Sequence, residues 1–214
     1  MSRRPATPAR ATHRGRTTYH HGDLPQALRD AATRLVAEHG ADGFTLREAA
    51  RSVGVHHAAA YRHFADKRAL LAAIAEEGYV TLARRMQVAD AAAPVTDVLE
   101  RVRRIGAAYV AFARKEPSLF ALMTGPRLNE DGRFPSLEAA LRGCVDALEA
   151  PLRAGQASGI VRKGAVGMQA MTILTLLHGY AEFVLTRRIQ VKPTRVAELL
   201  ATLLEPALRG LQRH

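Results

Sequence analysis

Ten consecutive residues, VHHAAAYRHF (55–64), carry three imidazoles, a guanidinium and a phenol. Closely spaced imidazoles can ligate a metal, and imidazoles beside a guanidinium and a phenol can grip a polyanion. Two metal ligands on one helical face need i, i+3 or i, i+4 spacing. His56 meets Ala59 and Ala60 at those offsets, and His57 meets Ala60 and Tyr61. His56 and His63 stand two turns apart, about 10 Å along a helix axis. With no cysteine nearby to complete a set, spacing argues against a metal, and no cofactor is expected. A solvated polar face and a polyanion-binding helix remain.

Charge favours the second. The 214-residue chain has a formal net charge of +11, which points to nucleic acid first and an anionic membrane second. Residues 1–70 hold 12 Lys/Arg against 6 Asp/Glu, and seven of the nine histidines. Catalysis finds little support: there is no Gly-rich phosphate loop and no Ser/His/Asp grouping. Cys144, the single cysteine, falls inside a predicted helix without a neighbouring base. One cysteine also excludes an internal disulfide framework and fits a reducing cytoplasm. The Arg-rich N-terminus lacks the apolar stretch of a secretory signal. The greasiest run, AMTILTLLHGYAEFVL, is broken by His178 and Glu182 and is shorter than the roughly 20 apolar residues of a bilayer span. No membrane partner is expected.

The elements that must position the imidazoles are well punctuated. Residues 1–22 contain five arginines and no acid, and read as a flexible basic arm. Asp23 is a predicted N-cap with Pro25 just inside the helix. Leu24, Ala27, Leu28, Ala31, Ala32, Leu35 and Val36 then recur at helical spacing until Gly40. Thr45 and Glu48 form a capping box for a short helix, with Phe44 stapled onto Ala49. Gly54 supplies the turn, and residues 56–63 make a second short helix with Tyr61 and Phe64 facing inward. Asp66 caps the helix that follows. Residues 23–68 therefore read as a helix-turn-helix inside a three-helix unit. Residues 69–214 read as a larger helical domain, with stretches near 66–90, 96–115, 117–124, 136–157, 165–187 and 194–211. The fold class is all-α.

In a helix-turn-helix the second helix enters the major groove while flanking segments hold phosphates. His56, His57 and Ala58 stand where base edges are reached, and Ala58, Ala59 and Ala60 would let the backbone approach closely. Tyr61, His63 and Lys67 suit phosphates, with Thr45 and Arg47 adding contacts from the first helix. Arg14 and Arg16 either reach DNA or belong to a solubilising tail. Imidazole titrates near pH ~6.5, so charged histidine contacts predict affinity that rises on acidification.

YHHGDLPQALRDAA and FTLREAARSVGVHHAAAYRHFADKRALL, at their spacing, resemble the DNA-binding domain of the TetR family of bacterial transcriptional regulators, over about residues 19–71. The resemblance implies phosphate contacts at Thr45, Tyr61, His63 and Lys67, and base reading at positions 56 and 57. It also implies a repressor that binds a partly palindromic operator as a homodimer. The family commonly places Ser or Thr at position 56, where this chain has His56.

Two helical readers about one DNA turn apart require a twofold dimer. The last two helices are the candidate interface, since AVGMQAMTILTLLHGYAEFVLTRR is apolar on more than one face. Completion of a monomeric core is the alternative. YVAFARKEPSLFALM (109–123) and LHGY (177–180) resemble the ligand-binding half of a TetR subgroup named for a Trp-His-Gly triplet, with Leu177 in place of the tryptophan. Tyr109, Phe112, Phe120, Met123, Met171, Ile173, Leu174 and His178 are candidates to line a pocket for a mostly apolar small-molecule effector. For the aliphatic and Met positions plain core is the stronger alternative. Tyr109 and His178 are the better pocket candidates, since a buried hydroxyl or imidazole needs a partner. The alternative for His178 is a bond to Glu182 one turn on, with Gly179 allowing close helix packing. A sealed core would instead favour a DNA-binding protein without an effector, acting architecturally or through a protein partner.

Overall fold

The computed structural model describes residues 23–125 and 128–212. The predicted basic arm, with Arg14 and Arg16, lies outside them. The described residues form α1 (Leu24–His39), α2 (Leu46–Ser52), α3 (His57–His63), α4 (Lys67–Ala91), α5 (Val98–Lys115), α6 (Pro117–Thr124), α7 (Pro135–Ser158), α8 (Val166–Leu185) and α9 (Val196–Leu211). A 3-10 turn, Pro193–Arg195, leads into α9. The fold is all-α, its boundaries lying within two residues of those read from periodicity. Extended pairing among the described residues is limited to one isolated antiparallel bridge, Val161 to Gln212.

Local chemistry sets the helix starts. Asp23 Oδ1 accepts from the Gln26 amide at 3.3 Å, and Asp66 Oδ1 accepts from the Ala69 amide at 2.7 Å. At α2 the capping box closes in both directions: Thr45 Oγ1 accepts from the Glu48 amide at 3.2 Å, and Glu48 Oε2 accepts from the Thr45 amide at 2.7 Å. Gly54 adopts φ +74° between α2 and α3, a left-handed turn that a side chain would strain. Pro151 and Pro206 sit inside α7 and α9, each removing one helical donor without ending its helix.

Packing centres on α4, which contacts α1, α5, α6 and α7. Its small residues Ala72, Ala75, Gly78 and Ala83 are buried and let those neighbours approach. Bidentate pairing of Arg101 with Asp90, at 2.7 and 2.9 Å, ties the end of α4 to the start of α5. One hydrophobic cluster runs from Leu28 to Leu211. The division after residue 68 therefore falls inside a helix that both units share. Leu177, at the subgroup's tryptophan position, is fully buried, and a Cβ on Gly106 would lie 2.8 Å from it. That position is a packing site in this chain.

Candidate functional site

The helix-turn-helix unit presents most of its candidate side chains to solvent. Thr45, Arg47, His56, His57, Ala58, Tyr61 and His63 are all exposed, the first two at the start of α2 and the others along α3 from its cap to its last residue. His56 is the N-cap of α3, and its Nδ1 accepts from the Ala58 amide at 3.4 Å. That bond is long, as befits a ring that caps less well than a hydroxyl or carboxylate. An accepting Nδ1 in the neutral ring places the imidazole proton on Nε2. His57 stacks beside it with ring centroids 4.1 Å apart, and Tyr61 meets His57 edge-on at 6.4 Å. His57 thus contacts both other rings, one tilted by 39° and one at 87°.

Two expectations are corrected here. Tyr61 does not face inward: it is 44% exposed, while Ala60 and Phe64, four residues apart, form the buried stripe of α3. Tyr61 sits one position, about 100°, off that stripe. Burial of Ala60 also leaves only Ala58 fully on the open face, with Ala59 half-buried.

Lys67 stands apart from the exposed set. Its Nζ donates to the Asp42 carbonyl at 3.1 Å and lies 4.8 Å from the centre of the Phe44 ring. The ammonium thereby fastens the α1–α2 turn to α4 and keeps two further donors. The Thr45 hydroxyl is likewise engaged, donating to Glu48 Oε2 at 2.9 Å, and this bond is the leading cause of the lowered Glu48 pKa. Arg51 and Arg62 are exposed in the last turns of α2 and α3 and were not singled out from sequence. Their signal was cationic ends on two short helices of one motif.

A second feature lies in the helical body. A cavity of about 470 Å³ opens between α4, α5, α6, α7 and α8. Tyr109, Met123, Met171, Leu174 and His178 line it. Phe112, Phe120 and Ile173 do not; they are fully buried in the core. Phe120 backs the wall, its ring 5.6 Å from Tyr109 and 5.7 Å from His178. His178 Nδ1 pairs with the Tyr109 hydroxyl at 3.3 Å, where Glu182 was expected. Sequence reading missed Tyr79, Asn129, Leu141 and Cys144, which also line the cavity. Burial pushes the Cys144 thiol up to about 12, and the Tyr79 phenol, which donates to the Met123 carbonyl at 2.5 Å, to about 12. Burial also raises Tyr109.

One segment joins the two features. Leu128 and Asn129 line the cavity, and Arg68 Nε donates to the Leu128 carbonyl at 2.7 Å. Arg68 also pairs with Asp131, and Arg133 pairs at 2.7 Å with Asp66, the N-cap of α4. Both guanidiniums lie over the Phe134 ring, at 5.4 and 5.1 Å. The loop that borders the cavity thus holds the helix that follows α3.

No helix among the described residues is long and apolar enough to cross a membrane. Among the same residues, no three His, Cys, Asp or Glu side chains gather as a metal site would require.

Comparison with known proteins agrees with this geometry. Residues 28–74 match the family described as bacterial regulatory proteins, tetR family, and residues 102–206 match the tetracyclin repressor-like C-terminal domain. A nucleoid occlusion factor SlmA from Vibrio vulnificus is 30% identical over 147 residues, covering 64% of this chain and 73% of the relative. The solved structure of a Rhodococcus sp. RHA1 protein of unknown function is similar at a TM-score of 0.79 and 29% identity, over 92% of this chain and all (100%) of that one. Bacillus subtilis FadR, solved in complex with stearoyl-CoA, shares the fold at a TM-score of 0.69 and 17% identity, over 87% of this chain and 99% of that one. Helix-turn-helix, helical body and relatives agree: the chain belongs to the TetR family of DNA-binding bacterial transcription regulators.

Proposed function

We propose that the chain is a cytoplasmic repressor that binds a partly palindromic operator as a homodimer and is released by a mostly apolar effector. The supporting observation is the loop that borders the cavity and also pins Asp66 and Arg68 at the start of α4. An occupant that moves Leu128 or Asn129 would shift that anchor, tilt α4 and change the separation of the recognition helices. His56 and His57 read bases with Ala58 beside them. Thr45, Arg47, Tyr61, His63 and Lys67 hold phosphates, Thr45 and Lys67 doing so from side chains that also brace the motif. The fold shared with FadR in complex with stearoyl-CoA supports a ligand role for the helical body.

The dimer forms through α8 and α9. Met168, Leu176 and Phe183 on α8 and Leu203 on α9 are large apolar side chains left exposed. A Cβ on Gly179 would meet nothing within 4 Å, so the close packing expected there is absent within the protomer. An apolar face with an open backbone patch suits a second copy.

Footprinting the promoter beside the gene and then titrating variants tests the division of labour on α3. His57→Ala changes which operators bind, by about 1–3 kcal/mol at the base it reads. Tyr61→Phe weakens every duplex alike, by about 0.5–1.5 kcal/mol for one lost hydrogen bond. Equal weakening of all duplexes by both variants would overturn the assignment.

A second reading draws on the SlmA relatives: DNA binding without a small-molecule effector, as architecture or through a protein partner. Under it the cavity is a packing void, and no cavity-binding compound changes operator affinity.

A further inference from the structure

The turn between α8 and α9 is strongly basic. Residues 183–197 hold Arg187, Arg188, Lys192 and Arg195 and no acid. All four cations are exposed, and Arg195 pairs with Glu198 at 2.8 Å. Every Asp and Glu of the chain lies among the described residues, and no ion pair among those residues includes Arg187, Arg188 or Lys192. Arg187 follows the α8 cap Thr186 at φ 55°, the one positive value outside glycine among the described residues. Glycine or asparagine adopts that conformation more readily than arginine.

Packing fixes which end of the body carries this turn. A Cβ on Gly167, early in α8, would lie 3.3 Å from Glu149 Oε1, late in α7. Further along, Met171, Leu174 and His178 share the cavity with Leu137 and Leu141, early in α7. α8 therefore runs back toward the loop in which Arg133 holds Asp66. Tyr79 and His178 both flank Tyr109 at the cavity. From there α4 runs 12 residues, about 18 Å, to Lys67, and α8 runs seven residues, about 10 Å, to Leu185. Leu185 thus stands about 8 Å short of Lys67 along the axes. The chain returns to Tyr180 only at Val196, whose carbonyl accepts from that phenol at 2.8 Å. Residues 186–195 therefore occupy the end of the body that carries the helix-turn-helix unit. Pairing α8 and α9 with a second copy brings two such turns together, where like charges repel until a polyanion lies beside them.

We propose that the α8–α9 turn is a second DNA contact, with Arg187, Arg188 and Lys192 of both protomers meeting phosphates at the centre of the operator. The inference rests on the operator-bound dimer through α8 and α9.

Anisotropy titrations of the full chain on its footprinted duplex, from about 50 to 200 mM salt, test it. The Arg187→Gly/Arg188→Gln/Lys192→Gln variant keeps its thermal midpoint, because glycine suits φ 55°. Its slope of log affinity against log salt becomes shallower by at least about 2, each lost phosphate contact being worth about 0.9. Arg188→Gln/Lys192→Gln, which leaves the backbone at 187 untouched, becomes shallower by at least about 1. Arg162→Gln/Lys163→Gln, at the opposite end beside the Val161 bridge, keeps the wild-type slope. Methylphosphonates at the central phosphates weaken the wild type and leave the triple variant unchanged. Smaller changes in slope, an equal change for the distal pair, or equal sensitivity of both chains to the methylphosphonates overturns the contact and leaves the operator dimer in place. A chain that protects no duplex, or protects one as a monomer, removes the operator dimer and the inference with it.

Discussion

The helix-turn-helix and the helical body make their candidate sites in opposite ways. In the first, short helices with explicit caps leave polar side chains outside, and each helix start follows from neighbours within four residues. In the second, long helices close around a shared apolar core, and the feature that matters is a space they fail to fill. Local chemistry sets one site; the other is a product of five helices converging. An outward face therefore tolerates change where the frame beneath it does not, while the cavity depends on every wall.

The core tests whether this contrast marks separate units. Leu28→Ala removes a fully buried side chain of α1 and costs about 2–5 kcal/mol. Because one cluster joins Leu28 to Leu211, chemical unfolding followed by circular dichroism should remain a single transition at a lower midpoint. Two resolved transitions would show that the units part independently, breaking the comparison at its root.

Alkali reports on the body alone. The folded chain holds Cys144 and Tyr79 protonated up to about 12, above the ordinary values of 9.0 and 10.0, because burial disfavours their charged forms. The unfolded chain ionises first, so this contribution to stability is complete below pH ~9 and is lost as pH rises toward ~12. Cys144→Ala should flatten the lower part of that decline in a pH series of urea midpoints. Iodoacetamide at pH 8 should label the native thiol far more slowly than the unfolded one. Equal labelling rates would mean that the cavity wall is open at Cys144.

The smallest effect sharpens the other side. Thr45→Ala removes the cap of α2 and costs about 1 kcal/mol in stability. Thr45→Ser keeps the hydroxyl and should restore most of it, as read from thermal midpoints. A larger loss in operator affinity than in stability would separate a phosphate contact from the cap itself.

What could be read from sequence divides along the same line. Asp23, Thr45, Glu48, Gly54 and Asp66 each satisfy or turn a backbone group within a few residues, so spacing alone placed them. Tyr61 was misjudged because seven helical residues give too few turns to fix a face, and only contact with the core decides it. Periodicity marked Phe112, Phe120 and Ile173 as interior, and they are, but inside does not mean beside a void. The Tyr109–His178 bond spans 69 positions, and Arg68 to Asp131 spans 63. Such pairs leave no local pattern, because they exist only once distant helices have packed together.

That helix has a mechanical side. With 25 residues it is a rod about 37 Å long, anchored at one end by the Asp66 cap and at the other by the Arg101–Asp90 pair. Rotation of about 5° around its middle displaces each end by about 1.6 Å, close to one helical residue's rise. With Asp90, held by Arg101, as the pivot instead, half an ångström of movement at Tyr79 arrives at Lys67, beside α3, as about 1 Å, the gearing being set by where along the rod the push is applied.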